Sequence, residues 1–97
     1  MTHQDEAAAT DRLRRALLAF RITQNHLLGA HRRLEELPPG EVDAFWRGPG
    51  RRLEADVRAT ATEVVAAFQR FSAAGLVAEA ADRHLVTRAQ RYLAEEA

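Results

Sequence analysis

The sequence predicts an all-α chain: an antiparallel two-helix hairpin whose apolar stripes call for a second hairpin, giving a four-helix bundle. Three observations predict it. Apolar residues recur at alternating steps of four and three in two long segments, the seam of a packed helix. No segment alternates with period two over strand length, and β-branched residues are scarce. All three prolines and three of the five glycines fall between the two periodic segments.

Helix one is expected over about 6–36. Residues 5–36 hold a single glycine and no proline. The seam runs Leu13, Leu17, Phe20, Gln24, Leu27, His31, Leu34, with Leu18, Ile22 and Leu28 widening the stripe. Gln24 reads as a polar, register-setting position at a helix interface, and His31 as a core-edge or interface polar residue. The turn is expected over about 37–50. "LPPGE" stops the helix there, since a residue preceding proline is disfavoured in the α region and Gly40 permits a turn. Asp43 is placed to cap a short turn through Phe45 and Trp46.

Helix two is expected over about 51–97. Its seam is Leu53, Val57, Thr60, Val64, Ala67, Phe71, with Ala61, Val65 and Phe68 alongside. Gly75 in "SAAG" marks where it can bend or break. Helical spacing then resumes at Ala78, Leu85, Ala89 and Tyr92. A chain of 97 residues is expected to form one domain, residues 1–97. Each helix is apolar over more than one seam, so a lone hairpin leaves apolar surface uncovered and a dimer follows. The expected core and dimer interface comprises Leu13, Leu17, Phe20, Leu27, Leu34, Leu53, Val57, Val64, Phe68 and Phe71.

Composition narrows the function classes. Basic and acidic residues balance at 14 each, and free-standing nucleic-acid binders usually carry a basic excess. All the basic side chains are Arg, which with abundant Ala points to a G+C-rich source. The absence of cysteine removes disulfides, thiolate metal sites and Cys nucleophiles. The polar stretch "MTHQDEAAATDR" has no apolar core of a cleaved leader, and no apolar run approaches the ~18 residues of a spanning helix. Stable membrane insertion is not expected.

Little points to catalysis. His26 and His31 lie about 140° apart round a helix, so they do not share a metal. Ser72 has no His or acid placed to activate it. "RGPGRR" matches no phosphate-binding fingerprint. Arg51 and Arg52 read as a solvated first turn, although cations there oppose the helix dipole and leave room for a partner's carboxylates. The expectation is no enzyme: no catalytic residue, no cofactor, no metal.

The single Trp is placed oddly for a core residue: it stands in "DAFWRGPGRRL", beside a turn signal. It reads either as a plug closing one end of a core or as a surface that a partner reads. Trp46-Arg47-Gly48 is a Trp-x-Gly motif between two long helices, continued by "WRGPGRRLEADVRATATEVVAAF". "YLAEE" places Tyr92 four residues before Glu96, a Tyr-x-x-x-Asp/Glu motif. On these residues the chain resembles the WXG family of small, ESAT-6-like, often actinobacterial proteins handled by type VII (ESX-like) secretion systems. "LPPGEVDAF" is a longer, more Pro-rich approach to the motif than a tight hairpin needs.

The resemblance implies a helical hairpin that pairs as a homodimer, or as a heterodimer with a similar WXG protein. It implies export in the folded state without a cleaved signal peptide, recognised by a secretion ATPase. Trp46 and Gly48 then mark the hairpin turn, and Tyr92 with Glu96 form the secretion signal. In family dimers the turn of one subunit lies near the Tyr motif of the other. A straight helix two would overshoot helix one and expose Tyr92 and Glu96 on a projecting arm, stacked on one helical face. Two other classes stand beside this reading: a cytosolic helical adaptor or coiled-coil scaffold, and a small nucleic-acid binder using Arg51, Arg52 and Arg58.

Overall fold

The computed structural model describes residues 3–96, with side chains as far as residue 95. Its helices are α1 (His3–Leu34), α2 (Pro39–Arg47), α3 (Pro49–Ala73) and α4 (Ala80–Glu96). The chain is all-helical among these residues.

α1 and α3 form the long antiparallel pair. Thr23 on α1 meets Thr60 on α3 with the two hydroxyl oxygens 2.8 Å apart, and Arg12 nearer the start of α1 reaches Glu63 further along α3. The two seams face each other as their spacing requires. Leu13, Leu17, Phe20 and Leu34 are buried on α1, and Val57, Val64 and Phe71 on α3. Leu27, Leu53 and Phe68 are half-buried. The seam's polar member Thr60 is satisfied locally, donating to the Val57 carbonyl at 3.0 Å as well as meeting Thr23. A hydroxyl so bonded enters an apolar layer without the cost of a lost partner.

Helix two is not a single rod with a projecting arm. α3 ends at Ala73 and the chain turns back, so that α4 lies along α3 and touches α1 only lightly. The stop is a Schellman motif. Gly75 takes φ +80°, its N–H donates to the Ser72 carbonyl at 2.9 Å, and the Leu76 N–H donates to the Phe71 carbonyl at 3.3 Å. Of the apolar pair that accompanies this motif, Phe71 belongs to the core and the half-buried Leu76 packs against it. Beyond the turn, Ala78, Val86 and Ala89 are buried, with Leu85, Tyr92 and Leu93 packed beside them.

That placement supplies part of the cover for which a second hairpin is expected. Leu13, Leu17, Phe20, Val57, Val64 and Phe71 share one core with α4, with Leu27 and Phe68 packed against it, while Leu18, Ile22 and Leu28 of α1 stay exposed. The bundle is a rod of 56 × 21 × 20 Å.

Candidate functional site

The Trp46 motif lies in a helix rather than a bare turn. Residues 35–38 are the irregular part of the connection, and α2 begins immediately after them. Pro38 is its N-cap in extended conformation and Pro39 its first residue, where a fixed φ and a missing N–H cost nothing. Asp43 therefore sits inside α2, exposed, and does not cap it. Gly48 is both the end of α2 and the N-cap of α3, and Pro49 starts α3 as Pro39 starts α2. Bonds from the Gly48 N–H to the Phe45 carbonyl and from the Arg51 N–H to the Gly48 carbonyl, each 3.1 Å, tie the two helices at a sharp corner.

This corner aims the indole back at the bundle. Trp46 is half-buried, with its ring centroid 4.7 Å from His31 at a 40° tilt and 5.1 Å from Phe45 edge-on. Beneath it lies the buried Gly50. A Cβ at residue 50 would stand 2.9 Å from the indole Cζ3 and 3.0 Å from the Phe45 Cδ1, inside the ~3.5–4.0 Å of normal carbon contact. At Gly48 the nearest atom to such a Cβ is the Ala44 carbonyl oxygen at 3.9 Å. The tight packing is thus at Gly50, two residues beyond the motif, a requirement the motif alone does not reveal. Ala30 and Leu34 are buried at the same end. Of the two readings of His31, core edge or interface, the contacts fit the second: it is exposed, and its seam position meets Trp46 of α2. Trp46 plugs the bundle end with one face and leaves the rest open.

α4 carries Tyr92 to this end. The Tyr92 hydroxyl donates to the Glu54 carbonyl at 3.2 Å, and the ring is half-buried against the core. Glu54 is one helical turn from Gly50 on α3, and positions four apart stack on one helix face. The side chain of Glu96 lies outside the described residues. Around the corner, Arg47, Arg51 and Arg52 are exposed, and the first turn of α3 has no acidic residue.

The electrostatics are mild. The Arg12 guanidinium grips Glu63 with both oxygens, Nε to Oε1 at 2.7 Å and Nη2 to Oε2 at 3.1 Å. These hydrogen bonds hold the Glu63 carboxyl below its ordinary range, slightly opposed by burial and aided by the charge of Arg12, and they raise Arg12 in turn. This pair stands well away from the Trp46 corner. Ser72 is exposed, and among the described residues no cluster of three His, Cys, Asp or Glu could hold a metal. No described helix is long and apolar enough to cross a membrane. No family model, no curated protein and no solved structure matches this chain.

Proposed function

We propose that this chain is a substrate or secretion partner of a type VII (ESX-like) secretion system, exported folded, with Trp46 and Tyr92 as two parts of one recognition surface. One observation carries the reading. The two motif aromatics pack against α3 one turn apart, Trp46 over Gly50 and Tyr92 against Glu54, within a single chain. A secretion ATPase could then read both from one protomer. Glu96, four residues beyond Tyr92, would add the carboxylate of the signal. Pairing with a second chain, part of the same reading, falls to surfaces outside the filled seams.

The test is export from an actinobacterial host whose type VII system secretes a control substrate. The wild-type chain is expected in the culture filtrate without a cytosolic marker. Trp46→Ala, Tyr92→Ala and Glu96→Ala are expected to stay in the cell while keeping helical circular dichroism. Retention of the wild type, or export untouched by all three changes, rejects the proposal. One observation favours a second reading, a cytosolic helical adaptor: α1, α3 and α4 share one core within a single chain. Retention of the wild type is its expected result.

A further inference from the structure

Between Arg12 and Leu34, α1 holds six arginines, two histidines and no acidic residue, in a chain whose net charge is zero. Two of the six are paired, Arg12 with Glu63 and Arg15 with Asp11. Arg14, Arg21, Arg32 and Arg33 are exposed and enter no ion pair of the described residues. Glu79 and Asp82 of α4 line the same groove as Arg14 and Arg21 without pairing with them. The outer side of α1 also carries aliphatic side chains: Leu18, Ile22 and Leu28 are 56%, 46% and 43% exposed. At ~100° per residue, Leu18 stands about 180° round the helix from the seam residue Leu27, and Arg14, Arg21, Ile22, Leu28 and Arg32 fall within about 80° of Leu18. Arginine and aliphatic side chains are thus interleaved along ~27 Å of one outer face.

We infer that this face of α1 docks on an anionic lipid surface. Lipid phosphates supply the negative charge that the unpaired guanidinium groups lack, and basic side chains beside such a surface add to one another's attraction. Arginine stems lie along apolar material while their charged heads stay at the wet boundary, so Leu18, Ile22 and Leu28 enter the acyl border between them. A partner helix is a poorer fit. The line that starts with Leu18 and Ile22 continues in steps of three and four through Asn25, Gly29 and Arg32, which gives no apolar seam to interlock. A nucleic-acid backbone would meet the arginines but leave the three aliphatic side chains against phosphate. The docking is shallow. No described helix is long and apolar enough to cross a membrane, and the opposite side of α1 is held in the core by Leu13, Leu17 and Phe20. Since α1 is the longest helix of a 56 × 21 × 20 Å rod, the molecule lies with its long axis in the plane of the bilayer.

Docking needs no secretion system and is tested on the purified chain with sedimenting vesicles. The chain is expected in the pellet with vesicles of phosphatidylcholine and phosphatidylglycerol in equal parts, and in the supernatant with phosphatidylcholine alone. Added salt weakens the binding, and a dye trapped in the vesicles stays inside. R14Q/R21Q/R32Q is expected to bind ~100-fold more weakly, about fivefold for each arginine lost. R70Q/R83Q/R88Q makes the same change in net charge at exposed positions on α3 and α4, and is expected to bind as the wild type does. L18S/I22S, also at exposed positions, is expected to bind at least ~10-fold more weakly with unchanged circular dichroism. Failure to pellet with the mixed vesicles overturns the inference. So does an equal loss in the two arginine triples, which would make net charge the cause, or full-strength binding by L18S/I22S, or release of the dye. A DNA duplex that strips the chain from the vesicles would give the face to nucleic acid and overturn it as well.

Discussion

The Tyr92 hydroxyl reaches the Glu54 carbonyl across 38 residues of chain and fixes the far end of α4 beside the Trp46 corner. The bond is long for a hydroxyl donor at 3.2 Å, so the half-buried ring is expected to contribute more than the hydrogen bond. Tyr92→Phe keeps the ring and should lose ~0.5 kcal/mol. Tyr92→Ala removes the ring and should lose ~2–3 kcal/mol, below the range for a fully buried aromatic. Urea unfolding of the two variants measures both. Equal losses would mean the hydroxyl, not the packing, holds α4 in place.

Gly75 decides whether helix two is one rod or two. It occupies the left-handed region at φ +80°, with open space where a Cβ would stand. Gly75→Ala therefore meets no steric obstacle, and its cost is purely conformational, ~1–2 kcal/mol. A thermal midpoint unchanged from the wild type would show that the reversal does not depend on this residue.

The two seams were readable because 4-3 spacing is a local property. Every apolar member of the two seams, from Leu13 to Leu34 and from Leu53 to Phe71, is buried or half-buried, whereas the flanking Leu18, Ile22 and Leu28 are exposed. What periodicity omits is which element lies opposite. Leu85, Ala89 and Tyr92 continue helical spacing equally well in a straight helix and in one that has turned back. The deciding signal was Gly75 followed by the apolar Leu76, a C-terminal stop with its hydrophobic contact rather than a mere weak point. His31 shows the same limit, since its seam position is met by α2, an element the spacing did not anticipate. Likewise Pro38-Pro39 signals a helix start as much as a helix end. The corner's aromatic was legible, but the need for glycine at residue 50 arises only when the indole folds onto it.

Glu63 links stability to acidity. Its carboxyl titrates below the unfolded value because Arg12 bonds the charged form. The folded state then binds fewer protons than the unfolded chain, so the contribution is complete above the ordinary Glu value of about 4.3 and fades as pH falls through the lowered one. Side chains 38% and 47% exposed keep it small. Glu63→Gln is expected to be slightly less stable at neutral pH and to lose less stability than the wild type between pH about 5 and 3. Thermal midpoints across that window decide, and parallel curves for the two proteins would remove the pair from the acid limb.

The corner itself separates two glycines that the Trp-x-Gly motif does not rank. At residue 50 a methyl group runs into both Trp46 and Phe45, and the indole is wedged between that backbone and His31. Something must move, so Gly50→Ala should cost ~1–3 kcal/mol, the usual range for overpacking. The displaced indole should also shift the emission of the single Trp toward that of a solvated one. At residue 48 the added methyl meets only the Ala44 carbonyl at ordinary contact distance. Gly48→Ala should therefore cost less than Gly50→Ala and leave the emission maximum in place. Chemical denaturation and fluorescence on the two variants give the ranking directly. If Gly48→Ala is the more damaging and moves the emission, the indole is held by the geometry of the corner residue rather than by close approach to α3. Trp46→Leu in the Gly50→Ala background tests the same contact from the other side: removing the ring's outer edge should recover part of the loss, since the clash needs both partners.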